Sequence, residues 1–599
     1  MNKMTNSSIK KIPYGIADYD KIVTDNCYYV DKTAYLRILE QTGDYLFFIR
    51  PRRFGKSLFL SVMEAYYDIF YKEKFETYFK DTVIYQKPTP NRGDYLVLKF
   101  NFSMVDPAVD RVEASFLSHI RGRALSFIRK YSNYLIKDLE YFKKSIEESW
   151  SAPDILSIIR DLCKDSHQKS YAIIDEYDNF ANSILSTAGE KAYQDLTRGE
   201  GFFRSFFNVL KGGTDGMEAP FTRLFLTGVS PVTMDDVTSG FNIGKNVSID
   251  DIFNQLLGFT NEDVIKMIEY YRQFGLIKHD NQYLLDIMSQ WYDNYIFSTK
   301  STTKLFNPDM VLYFLDEYFK SFQIPEDLID RNVRIDYQKL RHLIIIERKG
   351  KKEENGNFSR LREILEMGET VKKLKKGFPL EEVDEPENFI SLLFYLGLLT
   401  IKGRREGLTV FKIPNQTVKT LYYDYIIRVS KEIGLLDVNV GKVEDLLHDM
   451  AYHGNWNDFF AYLSQRMAQS TAIRDYIREE KVIQGFLLAY LGISDYFIVH
   501  SEKELNKGYA DIVMEPFFAV YAGIKYSYMI EIKYIAKEKG RGQKTLGKKM
   551  QKLKAEAEEQ LKKYSLDENF KKIIGKTTLI KLVLIFYGSQ LKYIDEASD

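Results

Sequence analysis

The chain is poor in cysteine, tryptophan and proline, with 2, 3 and 14 of each in 599 residues. Cys27 and Cys163 are too few for a disulfide framework or a cysteine-based zinc centre, and they suit a reducing, cytoplasmic compartment. No apolar stretch opens the chain as a secretory signal would. The longest nearly apolar run, Phe389–Ile401, is shorter than the ~18–20 residues a membrane-spanning helix needs. No sign of charge prevails, because 84 basic residues offset 84 acidic ones. A nucleic-acid contact must therefore come from local clustering rather than a global field. Repeats and low-complexity tracts are absent, and a 45% hydrophobic content excludes a disordered chain.

What is present is length and alternation. A chain of this size predicts about three to five domains. The first part alternates short apolar runs with amphipathic helical patterns, which predicts a parallel sheet flanked by helices. Four runs read as buried strands: Tyr45–Ile49, Tyr95–Phe100, Tyr171–Ile174 and Leu224–Thr227. Beyond Ser248 the pattern becomes helical. Residues 346–377 are charge-dense and read as an exposed connector. An apolar helix, Phe389–Leu396, then precedes a hairpin pattern around Arg404–Gly407, a winged-helix-like combination. Strand-like runs return after Tyr496 and predict a second α/β domain. The expected division is 1–248, 249–345, 346–432 and 433–599.

Tyr45–Phe70 reads YLFFIRPRRFGKSLFLSVMEAYYDIF: a strand, a short loop ending Gly55-Lys56-Ser57, then an amphipathic helix. That context predicts a phosphate-binding loop. Amides at the helix start hold phosphate, Lys56 reaches the β- and γ-phosphates, and Ser57 binds Mg²⁺. Arg50 stands where the first glycine of the usual spacing belongs, so the opening turn must differ. Arg52 and Arg53 are further candidate phosphate contacts. A strand ending Asp175-Glu176 supplies a carboxylate for the Mg²⁺ shell and another to polarise water. Thr227, ending a third strand, is a candidate sensor of the γ-phosphate. Arg204 is a candidate phosphate-stabilising finger across a subunit boundary, so a homo-oligomer is compatible with the pattern.

Near the C-terminus, Asp511 opens one strand, and Glu531 and Lys533 share a face of another. A buried Glu-x-Lys face is costly unless its charges are paired or used. Asp511 and Glu531 are oxygen ligands for Mg²⁺, and Lys533 can orient or deprotonate a water beside a scissile phosphate. Glu480 could complete the carboxylate cluster. Gln560 and Tyr564, four apart on one helix, are candidate substrate contacts. Between Ala536 and Lys554 eight basic residues face a single acid, Glu538, which suits a phosphate backbone.

The motifs IPYGIADYDKI, YYVDKT, RPRRFGKS, IIDEYD and LTGVSP, followed by EKVIQGFLLAYLG, GYADIVMEP, IEIKY and AEEQLKKY, together resemble a bacterial family. That family joins an AAA-ATPase-like domain to a C-terminal PD-(D/E)xK nuclease domain. The resemblance implies an α/β protein: a P-loop NTPase parallel sheet, a helical and winged-helix-like middle, and a restriction-endonuclease-like end. It implies nucleotide at Lys56, Ser57, Asp175 and Glu176, and a nuclease-like site at Glu480, Asp511, Glu531, Lys533 and Gln560. The expected activity is ATP-controlled, Mg²⁺-dependent cleavage of DNA or RNA, by analogy in defence or mobile-element control. The alternative is a nucleotide-dependent switch or scaffold whose nuclease-like domain does not cut.

Overall fold

The structure is a computed structural model that describes residues 9–136, 138–197, 201–212, 220–232, 244–334, 356–383, 385–432, 438–469, 480–537 and 543–597. The chain groups into two compact units. The first comprises Met1–Gln323, Asp330–Arg348 and Val371–Phe411; the second comprises Ile324–Ile329, Lys349–Thr370 and Lys412–Asp599. The helical stretch after residue 248 belongs, as far as Gln323, to the same unit as the N-terminal sheet. Among the described residues no helix is long and apolar enough to cross a membrane.

The first unit is built on a five-stranded sheet ordered β2-β3-β4-β1-β5, with every pairing parallel. Its strands are β1 (Tyr45–Ile49), β2 (Leu96–Asn101), β3 (Ser170–Asp175), β4 (Phe221–Gly228) and β5 (Lys245–Asn246). Helices cover a parallel sheet on both faces, so its strands are near-continuously apolar. In β3 all six residues are buried. Only β5 escaped the sequence reading, because two residues carry no periodicity. The order places β4 between the strand that feeds the phosphate loop and the strand that ends in Asp175. Register pairs Ile49 with Gly228 and Asn101 with Asp175, so the C-terminal strand ends line one crevice.

Residues 371–411 add the helix Pro386–Tyr395 and the hairpin of β7 (Thr400–Arg405) and β8 (Leu408–Lys412). The hairpin turns on Glu406 and Gly407, at φ 51° and 82°, the left-handed pair that a two-residue turn requires. With β6 (Glu369–Lys372) these strands form a three-stranded sheet ordered β6-β8-β7.

The second unit holds a mixed sheet ordered β13-β12-β11-β10-β9. Its strands are β9 (Phe497–Leu505), β10 (Gly508–Pro516), β11 (Tyr526–Ile535), β12 (Thr578–Tyr587) and β13 (Gln590–Glu596). Only the β11–β12 pairing is parallel, because the helices Gln543–Tyr564 and Glu568–Ile574 cross over between those two strands. Ala557 and Leu561 from the first of these helices pack with Val513, Met529 and Val583 in a dry core.

Gly228 marks a close approach in the crevice. A Cβ there would meet the Tyr177 ring at 2.3 Å and the Asp178 carboxylate at 2.5 Å. Both atoms are buried and pinned, so Gly228→Ala is expected to destabilise the protein by about 1–3 kcal/mol, read as a lowered midpoint in thermal unfolding. An unchanged midpoint would show that the crevice yields.

Candidate nucleotide and metal-dependent phosphodiester sites

The loop after β1 is held by Arg50, the residue that replaces the expected glycine. Its guanidinium turns inward, is 1% exposed, and lies between the rings of Phe48 and Phe297 at 4.3 and 4.2 Å. It donates to the carbonyls of Ser248 and of Phe253, the latter at 2.9 Å. The side chain therefore anchors the loop from behind and leaves its mouth clear. The carbonyls of Arg50 and Pro51 then accept hydrogen bonds from Lys56 Nζ at 3.0 and 2.8 Å. Gly55 starts the helix Lys56–Tyr67 at φ 90°, and a Cβ there would point into open space. The glycine is needed for that backbone angle, and the first helical amides are left facing a void.

Three carboxylates bear on Lys56. Burial lowers its ammonium to about 8, opposed by Glu176, Asp175 and Asp178. Asp175, 2% exposed at the end of β3, accepts the Glu176 amide at 3.0 Å. Glu176 sits at φ 49°, accepts from Asn179 at 2.6 Å, and is raised by burial. Asp178 accepts the amides of Val229 and Ser230 at 3.1 and 2.7 Å and so ties the loop after β4 to the end of β3.

The remaining residues are placed differently. Ser57 and Gly55 line a cavity of about 450 Å³ with Lys56, Arg53 and Glu176. Thr227 is 1% exposed and its hydroxyl donates to the Phe48 carbonyl at 2.8 Å, so in this conformation it serves the sheet. Arg53 is held by Asp309 at 2.9 Å and by Asp330 at 3.7 Å. Arg204 is half-buried on the helix Phe202–Gly212. The apolar side of the cavity comes from Ile16, Tyr28, Val30, Leu257 and Phe259, to which the sequence reading gave no role. The signal for Ile16, Tyr28 and Val30 was in the motifs IPYGIADYDKI and YYVDKT, but short aromatic motifs read equally well as core; Leu257 and Phe259 lie in neither motif.

In the second unit the strands part at Asp511. The β9–β10 ladder pairs Ala510 and Ile512 but skips Asp511, and the residue across the gap, Glu502, is left-handed at φ 48°. On the other side Asp511 Oδ2, not a backbone carbonyl, accepts the Ile532 amide at 2.7 Å. Gln484, 2% exposed on the helix Glu480–Leu491, donates to the Asp511 carbonyl at 2.7 Å and fixes the kink. The sequence signal for Gln484 was a polar residue inside VIQGFLLAYL.

The β10–β11 register continues to bring Asp511 across from Glu531. Glu531 is 2% exposed: one carboxylate oxygen accepts from Lys533 Nζ at 2.8 Å, and the other is buried with no partner. Burial, then the Glu531 charge, pushes the Asp511 carboxyl up to about 8. Burial likewise raises Glu531 and Glu480, while Lys533 opposes both. Lys533 itself is raised because Glu531, Asp511 and Glu480 outweigh its burial. Glu480, Asp511, Glu531 and Lys533 thus form one electrostatic group.

Gln560 is half-buried on the helix Gln543–Tyr564. Tyr564 departs from expectation. It is 5% exposed in the dry core, and its ring fills the space over Gly508, where a Cβ would meet it at 2.3 Å. A residue so placed supports the sheet rather than touching substrate. Of the basic cluster, Lys539 and Arg541 lie outside the described residues, while Lys537, Lys548, Lys549 and Lys552 are exposed.

The site residues fit a hard divalent cation, because hard cations take carboxylate oxygens and Glu531 keeps a buried oxygen with no donor. The two units therefore carry a phosphate-loop nucleotide fold and a carboxylate-lysine nuclease fold. Residues 13–238 match the family model described as predicted AAA-ATPase, and residues 478–596 match that of the PD-(D/E)XK nuclease superfamily. The two matches pair an AAA-ATPase-like segment with a PD-(D/E)XK nuclease superfamily segment in one chain. It is also similar to an uncharacterized protein in the vnfD 5'region of Azotobacter chroococcum mcd 1, at 26% identity over 318 residues. That match covers 53% of this chain and 54% of the relative, so the chain spans about half the length of the curated relative it matches.

A raised carboxyl means that the metal-free native state holds a proton which the unfolded chain releases near pH 4. Stability from that proton is present below pH 4 and is lost as pH rises toward about 8. Asp511→Asn is therefore expected to raise metal-free stability at pH 8 by about 0.5–2 kcal/mol, with little gain at pH 4. Denaturant unfolding at both pH values checks this; an equal effect at both would refute the charge-cluster account.

Proposed function

We propose that the chain is an ATP-binding, Mg²⁺-dependent nuclease in which nucleotide state controls cleavage of DNA or RNA. The observation that carries the cutting role is the buried, unpartnered Glu531 oxygen beside Asp511 and Lys533. Structural ion pairs satisfy their oxygens; a site kept for a cation leaves one open. Glu531, Asp511 and Glu480 would hold Mg²⁺, which supplies Lewis-acid polarisation of the phosphate and acidifies a water when bound. Lys533, tethered to Glu531, keeps a positive charge next to the group under attack and orients the water. The exposed lysines of the helix Gln543–Tyr564 track the phosphate backbone.

In the first unit, Lys56 exchanges the carbonyls of Arg50 and Pro51 for phosphate oxygens, with Ser57 and Asp175 as the Mg²⁺-facing pair. Glu176, held by Asn179, orients a water for hydrolysis. Ile16, Tyr28 and Phe259 supply an apolar surface for the base. A cutter governed in this way suits bacterial defence or mobile-element control.

The test is cleavage of plasmid, single-stranded DNA and RNA with Mg²⁺, with and without ATP. Lys533→Ala is expected to lower cleavage by about 10²–10⁴-fold. Equal rates in wild type and variant would remove the nuclease assignment. Lys56→Ala is expected to weaken ATP binding at least tenfold by calorimetry and to abolish the effect of ATP on cleavage. Retained affinity would overturn the phosphate-loop assignment.

A further inference from the structure

The helix Val440–His453 lies outside the segment matched to the nuclease superfamily, and neither proposed site uses it. Its last turn carries His448, Asp449 and His453, and one ligand atom from each lies within 4.8 Å of the others. Asp449 and His453 are four residues apart and share a helix face, with His448 beside them. We propose that these three side chains bind a borderline transition-metal dication of the Zn²⁺, Ni²⁺ or Co²⁺ class.

Donor chemistry selects the ion. Two imidazoles and one carboxylate suit Zn²⁺, Ni²⁺ or Co²⁺, whereas Mg²⁺ prefers all-oxygen sites such as the carboxylate group on β10 and β11. Metal–ligand lengths of about 2.0–2.2 Å put paired donors at most about 4.4 Å apart, so small side-chain rotations complete the chelate.

The scaffold is already fixed, and that makes the trio more than a surface cluster. The Asp449 carbonyl accepts the Gly454 amide, the Met450 carbonyl accepts the Tyr528 hydroxyl at 2.8 Å, and the Ala451 carbonyl accepts the Lys525 amide at 3.0 Å. Gly454, at φ 72°, lies so close to the Tyr526 ring that a Cβ would meet it at 2.8 Å. The backbone bearing the donors is thereby clamped to the start of β11, and His448 is confined by the rings of Tyr452 and Tyr496 at 4.7 and 5.7 Å. A clamped backbone lowers the ordering cost of binding. The negative end of the helix dipole adds attraction for a cation. His448 and His453 are exposed, so an ion reaches them and keeps positions open for water or a further ligand. Tyr526 precedes Glu531 by five residues, about 16 Å of extended strand, which separates this site from the Mg²⁺ cluster.

The experiment titrates the full chain with Co²⁺ in excess Mg²⁺, following visible Co²⁺ absorption and calorimetry. Wild type is expected to bind one such ion, and His448→Ala/His453→Ala to lose at least about tenfold in affinity, with thermal unfolding in EDTA unchanged. Glu531→Gln is expected to keep the ion. Equal binding by wild type and the double variant, no binding by wild type, or loss in Glu531→Gln alone would each overturn the proposal. The last result would place the ion in the carboxylate cluster.

Discussion

The structure of the C-terminal site depends on one interaction, the bond from the Lys533 ammonium to Glu531. Without it, like charges from Glu480, Asp511 and Glu531 would share a poorly solvated space offset only by Lys481, which is itself paired with Glu502. One lysine against three acids leaves the site short of positive charge. That deficit is what a dication would remove, and it adds to the burial that raises the Asp511 carboxyl. The N-terminal site solves the same problem by another route. Lys56 has carboxylates nearby but rests on loop carbonyls, a reserve of acceptors that phosphate oxygens can replace.

Both sites sit where regular pairing stops. In the first unit the parallel strands end together and their last residues converge on a loop. In the second, the ladder breaks at Asp511, whose carboxylate takes an amide of the neighbouring strand. Breaking a ladder costs backbone hydrogen bonds, and Gln484 offsets part of the loss by capping the freed carbonyl. The polar residues around each centre are thus occupied twice, by the fold and by the chemistry proposed for them.

Sequence reading reached the strands that carry chemistry, because apolar runs ending in acids are readable without neighbours. Tyr45–Ile49 is seen in the structure with the same bounds, and β3 extends its expected range by one residue at each end. The order of the strands was not legible, since pairing between β1 and β4 joins residues far apart in the chain. Nor was the role of Arg50: a basic residue beside a phosphate loop suggests a ligand contact, and only the positions of Phe48 and Phe297 show that it faces the interior. The packing of Tyr564 was hidden for the same reason, because helical spacing defines a face but not what covers it. Asp309 and Asp330 pair with Arg53 from hundreds of residues away, which no local pattern encodes.

The order in which the chain visits its two units bears on how such a protein can change over generations. Ile324–Ile329 and Lys349–Thr370 belong with the C-terminal unit, yet each is followed by residues of the N-terminal one. A single genetic crossover anywhere in this interleaved stretch would leave one half without segments it needs. The segment matched to the nuclease superfamily lies wholly after that stretch, so an exchange placed beyond it would carry every strand of the C-terminal sheet and leave only those two short segments behind.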